Sequence, residues 1–243
     1  MSGRPREPAA VLVDIEGTTT PIGFVYDVLF PYARRNVRGF LARRGGESEV
    51  GHDLAALRRE HAAEPAADRP PAWTDASEPF EAAAAYLHWL MDRDRKSTAL
   101  KSVQGRLWEE GFRTGELRSE VYDDVPPAFR RWHARGQGPW IFSSGSVLAQ
   151  KLLFGHTRAG DLTPLVRGYF DTTTGPKREA GTYGRIAAAI GARPADVLFL
   201  SDVAAELDAA RQAGLRTALC VRDGDPPHPA GHDVIRSFDG VLP

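Results

Sequence analysis

The sequence of 243 residues contains a single cysteine, Cys220. One thiol excludes a disulfide-stabilised fold, and its position in the apolar run 217–221 predicts a small buried side chain rather than a nucleophile. No apolar run approaches the about 20 residues that a helix needs to cross a bilayer, so no membrane partner is expected. The 31 basic and 32 acidic side chains leave a net charge of −1, which gives no indication of nucleic acid as a partner.

Several motifs of familiar chemistry are also absent. The seven histidines show neither His-x-His nor His-Glu-x-x-His spacing, which argues against a zinc site. Ser143-Ser144-Gly145 lacks the Gly-x-Ser-x-Gly pattern of serine hydrolases, and Lys177 does not complete a nucleotide-binding Gly-x-x-x-x-Gly-Lys-Ser/Thr loop. The first eight residues are polar, and the apolar stretch after them is interrupted at Asp14, unlike a signal peptide. We therefore expect a cytoplasmic protein.

What the chain does contain is an alternation of short apolar runs with helical patterns. A hydrophobic content of 42% is sufficient for a buried core. Strand–helix alternation predicts parallel βαβ units and therefore a doubly wound α/β core. The predicted strands are 9–13, 139–143, 197–201 and 215–221, and the predicted core helices are 145–154, 179–190 and 203–213.

About a hundred residues between the first and second predicted strands contain helical patterns and no convincing strand. The segment 45–75 is rich in alanine, proline and charge, and we expect it to be loosely packed surface. Apolar residues recur at helical spacing within 24–41, 78–91 and 97–108.

The end of this insertion is marked by tandem prolines, Pro126 and Pro127, which stop one helix and can begin the next. The predicted organisation is a catalytic core formed by 1–23 and 125–243, with an all-helical cap at 24–124.

Charged and hydroxyl side chains cluster where the predicted strands end. In open α/β sheets, ligands bind beyond the carboxyl ends of the strands, so we expect these side chains to form one crevice. Two acids spaced i, i+2 are costly there unless a cation or a phosphoryl group uses them. The side chains are Asp14, Glu16, Ser143, Ser144, Lys177, Asp202 and, one helical turn later, Glu206.

A phosphoryl group is the ligand for which each of these groups has a use. Asp14 is the candidate nucleophile, because a carboxylate can attack phosphorus to give an aspartyl phosphate that water later opens. Glu16 could protonate the leaving oxygen and then activate water. Ser144 and the amides at the start of a helix could bind phosphate oxygens, while Lys177 offsets their charge. Asp202 would bind Mg²⁺, which prefers oxygen ligands.

Each residue also has a structural interpretation. A lone glutamate such as Glu16 is usually an N-cap or part of a surface ion pair, and Ser144 stands where a helix N-cap would. A lysine in a Gly-Pro turn, like Lys177, is usually solvated. Asp202 could also cap the helix that follows it. The i, i+2 spacing from Asp14 and the other candidate residues of the crevice favour the catalytic interpretation of Glu16. The strand-end position of Asp202 favours metal binding.

Four short motifs follow one another along the chain: Asp14-Ile-Glu-Gly-Thr, Ser143-Ser-Gly-Ser, Gly175-Pro-Lys and Leu200-Ser-Asp-Val. Longer distinctive stretches begin at Asp14, Asp27, Asp94, Gln104 and Ser143. The short motifs resemble those of the haloacid dehalogenase superfamily of aspartate-nucleophile phosphatases. The longer stretches are similar to the enolase-phosphatase family (acireductone synthases) of methionine salvage, and this resemblance covers about residues 10 to 222 except 45–73.

The resemblance implies a Mg²⁺-dependent enzyme that enolises 2,3-diketo-5-methylthiopentyl-1-phosphate and dephosphorylates the enol to 1,2-dihydroxy-3-keto-5-methylthiopentene. By motif, Asp14, Glu16 and Asp202 hold one Mg²⁺ per chain, and Ser143, Ser144 and Lys177 bind the substrate. Glutamate at position 16, where most superfamily phosphatases have aspartate, supports the narrower family. The candidate cap contacts to the substrate's tail are Arg95, Lys96, Gln104 and Trp108, of which Trp108 also has the spacing of a core residue.

Two other functions compete with this expectation. The four short motifs alone would suit a general phosphatase for sugar or acid phosphates, or an inactive Mg²⁺-binding regulator that keeps the fold. Haloacid dehalogenation is disfavoured by Glu16, which points to metal-assisted phosphoryl chemistry. The residues identify no base for enolisation. With no repeats or exposed heptads, we expect a monomer.

Overall fold

The computed structural model describes residues 7–74, 80–226 and 231–242. Its centre is a six-stranded parallel sheet with the order β3-β2-β1-β4-β5-β6. The strands are β1 Ala10–Val13, β2 Trp140–Phe142, β3 Gly168–Phe170, β4 Val197–Ser201, β5 Arg216–Cys220 and β6 Asp233–Ile235.

The first strand lies in the middle of the sheet. All four residues of β1 are buried, as expected for an apolar strand of a parallel sheet covered on both faces. It pairs with β2 through Leu12 and Trp140 and with β4 through Leu12 and Phe199. The chain adds β2 and β3 on one side of β1 and then β4, β5 and β6 on the other, so the sheet is doubly wound and changes direction at β1.

The inserted stretch is helical in its described residues and contains no strand there. The chain divides into two compact units, Tyr26–Leu117 and the remainder. A π-helix, Phe24–Leu29, runs directly into the first α-helix. The helices are α1 Phe30–Arg44, α2 Ser48–Ala63, α3 Glu81–Asp92 and α4 Thr98–Thr114.

Among the described residues, the unit that contains the sheet has the α-helices α5 Val125–Ala134, α6 Val147–Gly155, α7 Ala180–Ile190 and α8 Ala204–Gln212. Tyr183 and Ile186 of α7 and Leu207 of α8 pack with Leu12 and Phe199 in one buried cluster. As predicted, the prolines at 126 and 127 lie in the first turn of α5, where a missing N–H costs no helical hydrogen bond. None of the described helices is both long and apolar enough to span a bilayer.

The predictions for the strands and core helices are confirmed to within two residues at each end, and two strands were not predicted. Both β3 and β6 have three residues and lie at the two edges of the sheet. Their residues are partly or fully exposed, so neither carries the continuous apolar run that marks the inner strands.

The prediction of loosely packed surface over 45–75 is wrong for residues 48–63. They form the 16-residue helix α2, in which Val50 and Leu57 are fully buried. These residues are seven positions apart, about two helical turns, and share one face. Arg106 of α4 adds ion pairs to Glu49 and Asp53. Because only two apolar residues of α2 are buried, its charged composition concealed the helix. The predicted helix start at 78 lies outside the described residues.

Candidate active site

The site begins at the carboxyl ends of three adjacent strands. Asp14, Ser143 and Asp202 each follow directly after β1, β2 and β4, and β1 pairs with both of the others. The backbone N–H of Asp14 continues the ladder by donating to the Leu200 carbonyl at 3.0 Å. Parallel pairing therefore brings together residues that are more than a hundred positions apart, as predicted.

The Asp14 carboxylate is buried, with 2% of the residue exposed. Its Oδ1 accepts a hydrogen bond from the Ile15 N–H at 2.7 Å and lies 2.7 Å from Lys177 Nζ. Ser201 Oγ donates to Oδ2 at 3.2 Å. These three contacts fix the carboxylate at the end of the central strand.

Lys177 is buried rather than solvated, with 8% of the residue exposed. Its ammonium lies between Asp14 Oδ1 and Glu206 Oε2, at 2.7 Å from each. Burial by itself lowers the pKa of Lys177, but the two carboxylates, Asp14 and then Glu206, outweigh burial and raise this pKa above its ordinary value. Lys177 is therefore a fixed cation at neutral pH.

Glu16 is partly buried and directed toward β2, since Ser143 Oγ donates to Glu16 Oε2 at 3.4 Å. Burial and the neighbouring Asp14 charge raise the pKa of Glu16 above its usual range. A carboxyl group with a raised pKa can hold a proton and release it. The geometry thus suits an acid–base role for Glu16 and does not support the N-cap or surface ion-pair interpretation.

Asp202 is held by the turn that follows β1. Thr18 Oγ1 accepts from the Asp202 N–H at 3.0 Å and donates to Asp202 Oδ1 at 3.4 Å. Burial, followed by the charge of Asp14, raises the pKa of Asp202 to about 6. The cap of α8 is formed at Val203, without a side-chain hydrogen bond, so Asp202 is not a capping residue.

The two serines after β2 differ in their surroundings. Ser143 is buried and its Oγ accepts from the Gly145 N–H at 3.0 Å, whereas Ser144 is exposed. The N-cap of α6 is Ser146, whose hydroxyl accepts from the Ala149 N–H, so the capping interpretation of Ser144 is wrong. The Gly145 N–H is bonded to Ser143 Oγ, and the Ser143 hydroxyl in turn contacts Glu16.

Comparison with known proteins decides to which family this site belongs. A family model described as haloacid dehalogenase-like hydrolase matches residues 8–214. Enolase-phosphatase E1 of Synechococcus elongatus is 55% identical over 230 residues, 94% of this chain and 95% of that protein. This chain is a haloacid dehalogenase-like hydrolase of the enolase-phosphatase family. The resemblance inferred from the motifs is confirmed, and so is the α/β fold class.

Other relatives agree with this assignment. Enolase-phosphatase E1 of Sorangium cellulosum is 50% identical over 235 residues, 96% of this chain and 97% of that protein. Among solved structures, the UTR4 protein of Saccharomyces cerevisiae aligns with a TM-score of 0.78 at 33% identity, covering 96% of this chain and all of that one. The HAD-hydrolase YfnB of Bacillus subtilis, described as bound to magnesium, aligns at 0.55 and 14% identity over 96% of each chain, which shows a shared fold alone.

The haloacid dehalogenase-like phosphatases use a divalent metal ion, and the donor set of this chain fits one. Asp14 raises the pKa of both Glu16 and Asp202, so the three carboxylates repel one another and a cation would relieve the repulsion. In the described part of the chain, no three His, Cys, Asp or Glu side chains converge closely enough to bind a metal alone. A hard cation that keeps water ligands and shares phosphate oxygens suits such a site.

Ser201 and Thr18 contact the site residues but were not identified from the sequence, and Glu206 was identified without a specific role. Ser201 Oγ lies between Asp14 Oδ2 and Glu206 Oε2, at 3.2 and 3.3 Å. Thr18 links the β1 turn to Asp202. Glu206 was placed in the crevice, and the structure makes it the second partner of Lys177. A hydroxyl at a buried strand end, next to an acid, is the signal that could have identified Ser201.

The four candidate cap contacts lie in the helical unit. Trp108 is a core residue, since it is buried and its Nε1 donates to the Leu29 carbonyl at 3.0 Å. Arg95 is paired with Glu64 at 2.5 Å. Gln104 is buried and Lys96 is exposed. Contact with the substrate's tail stays a prediction for these residues.

Proposed function

We propose that this protein converts 2,3-diketo-5-methylthiopentyl-1-phosphate into 1,2-dihydroxy-3-keto-5-methylthiopentene in L-methionine salvage, first by enolisation and then by removal of phosphate. Support comes from relatives named Enolase-phosphatase E1 that are 45% to 55% identical. The observation that carries the chemistry is the buried Asp14 carboxylate, held between Lys177 Nζ and Ser201 Oγ at the end of the central strand.

In the phosphatase step, Asp14 attacks phosphorus and forms an aspartyl phosphate while the bond to the leaving oxygen breaks. Glu16 donates its proton to that oxygen. Once ionised, Glu16 takes a proton from water, which attacks the aspartyl phosphate and releases inorganic phosphate and Asp14. The raised pKa of Glu16 suits the first proton transfer.

Lys177, Ser143 and Ser144 are proposed to bind the substrate's phosphate. The ammonium of Lys177 neutralises part of the phosphate charge, and the hydroxyls donate to its oxygens. Because both carboxylate partners keep Lys177 protonated, it is suited to stabilise the enolate oxygen electrostatically and not to act as the enolisation base.

Asp14, Glu16 and Asp202 are proposed to hold one Mg²⁺. When bound, the ion would screen the repulsion between Asp14 and the phosphate and withdraw charge from the phosphoryl oxygens. Glu16 also contacts Ser143 Oγ, so it lies next to both the proposed metal ligands and a proposed phosphate-binding residue.

The helical stretch 24–124 is proposed to serve as the cap of a core formed by 1–23 and 125–243. We also propose a cytoplasmic monomer. Size-exclusion chromatography with light scattering tests the oligomeric state: a mass near the 26.6 kDa of one chain is expected, and twice that mass would contradict it.

The decisive experiment follows enol absorbance and free phosphate together during incubation of the purified protein with the diketone phosphate and Mg²⁺. Both signals are expected, and EDTA should remove phosphate release. Asp14→Asn should abolish phosphate release while leaving the fold intact, because the amide is a poor nucleophile; retained turnover would contradict the assignment of Asp14. Efficient release of phosphate only from simple phosphomonoesters would instead identify a general capped phosphatase.

A further inference from the structure

One buried guanidinium outside the groups assigned above is connected to the site. Arg222 lies two residues beyond β5, and only 7% of its side chain is exposed. Its Nε and Nη2 both donate to the Thr18 carbonyl oxygen, at 2.9 and 2.6 Å. Its Nη1 donates to Asp124 Oδ2 at 2.7 Å. The guanidinium also lies 4.4 and 4.5 Å from the ring centroids of Tyr122 and Phe238, so its position is defined from several directions.

Thr18, which Arg222 holds, is itself hydrogen-bonded to Asp202. While its carbonyl is held by Arg222, its hydroxyl accepts from the Asp202 N–H and donates to Asp202 Oδ1. Thr18 is fully buried, so water does not replace these bonds. The preceding residue, Gly17, approaches so closely that an added Cβ would lie 2.3 Å from Asp202 Oδ2. A small displacement of the turn would therefore move the Asp202 carboxylate.

We propose that Arg222 is a positioning residue for metal binding, which holds Thr18 so that Asp202 presents its carboxylate in one orientation. The proposal rests on the proposed role of Asp202 as a metal ligand. The charge of Arg222 is balanced by Asp124, so Arg222 acts through geometry and not by changing the net charge of the site. Groups that orient metal ligands through hydrogen bonds typically change metal affinity by about 10- to 100-fold when they are altered.

The test is Arg222→Lys, with Mn²⁺ and Mg²⁺ affinity measured by calorimetry in the absence of substrate. Lysine keeps the positive charge but cannot supply the two parallel donors of a guanidinium. We expect a metal Kd about 10-fold weaker than in the wild-type protein. At saturating metal, kcat should recover and the substrate KM should stay unchanged, a pattern that general destabilisation would not produce.

Arg131→Lys is the matched control. Arg131 also donates to backbone carbonyls in the same unit, those of Phe238 at 2.7 Å and Leu242 at 2.8 Å, but it holds the carboxyl-terminal segment instead of the Thr18 turn. A similar loss of thermal stability with wild-type metal affinity is expected. Equal weakening of metal binding in both lysine variants would overturn the positioning role.

Two substitutions at Thr18 keep the proposal testable even if Arg222→Lys fails to fold. Thr18→Val removes the hydroxyl and should weaken metal binding about as much as Arg222→Lys does, whereas Thr18→Ser should bind metal like the wild type. If Arg222 acts through Thr18, the double variant Arg222→Lys/Thr18→Val should bind metal no more weakly than Thr18→Val alone. Additive losses, or wild-type metal affinity in Arg222→Lys and Thr18→Val, would overturn it.

The two proposals fail separately because metal binding is measured without substrate. Absence of turnover on the diketone phosphate would remove the proposed substrate and leave the metal-binding result standing. Wild-type metal affinity in Arg222→Lys would remove the positioning role while turnover stands.

Discussion

A buried ammonium between two carboxylates dominates the electrostatics at the scale of single residues. Lys177 lies 2.7 Å from both Asp14 and Glu206, and the pKa of Glu206 is raised, first by burial and then by the charge of Asp14. One cation is thus shared by two acids: Asp14, the proposed nucleophile, and Glu206, which holds Lys177 from the other side.

Lys177→Met is expected to lower phosphate release about 10²- to 10³-fold, the usual effect of losing one electrostatic stabiliser of a transition state. It should also lower the free energy of unfolding by about 3–5 kcal/mol, since two carboxylates remain buried without their counter-charge. Urea unfolding and phosphate-release assays measure the two effects.

The double variant Lys177→Met/Glu206→Gln separates these effects. It should regain most of the lost stability because one buried charge is removed, and it should regain no activity. Glu206→Gln alone is the control. Recovery of activity in the double variant would contradict the role of Lys177.

Cys220 makes the stability depend on alkaline pH. Burial raises the pKa of its thiol to about 11, so the folded protein keeps a proton that the unfolded chain loses near pH 9. Stability from this group is therefore complete below pH 9 and is lost as the pH rises toward 11, by at most about 2.7 kcal/mol for two pKa units.

Urea unfolding at pH 7.5 and pH 10.5 checks this expectation in the wild type and in Cys220→Ala. The loss of stability between the two pH values should be smaller in the variant, because alanine has no thiol to titrate. The tyrosines titrate in both proteins, so their contribution cancels in the comparison. An identical loss in both would show that Cys220 does not contribute.

At the scale of elements, the turn that leaves β1 is the most constrained connection in the site. Gly17 has a φ of +69°, a conformation that costs a residue with a Cβ about 1–2 kcal/mol. The backbone N–H groups of Thr18, Thr19 and Thr20 all donate to the Ile15 carbonyl. This compact turn places Thr18 within hydrogen-bond distance of Asp202.

Gly17→Ala is expected to reduce phosphate release by more than about 10²-fold, since a displacement of about 1 Å at a reacting group has that effect. The added Cβ would lie 2.3 Å from Asp202 Oδ2 and would displace the carboxylate. Gly115→Ala is the matched control, with a φ of +79° and nothing within 4 Å of the added Cβ.

The control should lose stability by the strain alone and keep its activity. Steady-state assays and thermal unfolding of both variants check the difference. Equal activity in Gly17→Ala and Gly115→Ala would contradict the close approach of Gly17 to Asp202.

At the scale of the whole molecule, metal binding should couple to folding. The carboxylates that repel one another come from separate stretches of chain, Asp14 after β1 and Asp202 after β4, so the unfolded chain does not hold them together. A ligand that binds only the folded state stabilises it, by about 2.7 kcal/mol at a free concentration of 100 Kd.

Mg²⁺ is therefore expected to raise the unfolding free energy of the wild type by about this amount, and EDTA should remove the increase. Asp202→Asn should gain much less from Mg²⁺, because a proposed ligand is lost. Urea unfolding with and without Mg²⁺ measures the gain. The same increase in both proteins would contradict metal binding at Asp202.

The inner strands and the edge strands were not equally predictable. β1 is apolar throughout and β4 is apolar up to Ser201, because both faces of the inner sheet are covered, and this pattern is visible in the sequence. β3 and β6 are short and partly exposed, and their pairing with the sheet defines them more than their composition does. Helix α2 was missed for a related reason: Val50 and Leu57 are its two buried apolar residues, and most of the others are polar, charged or alanine.

The sequence by itself determined the family, the inner strands with the helices between them, and the candidate residues at the strand ends, because acids, turns and apolar runs are local features. It left Lys177 with a choice between solvent and the site, and Ser144 with a choice between capping and binding. Only the tertiary structure placed Lys177 in the site and showed that Ser146, and not Ser144, caps the helix. Distances such as those from Lys177 Nζ to Asp14 and Glu206 depend on the pairing of strands far apart in the chain. Burial, which raises the pKa values of Glu16 and Asp202, exists only once the sheet is packed.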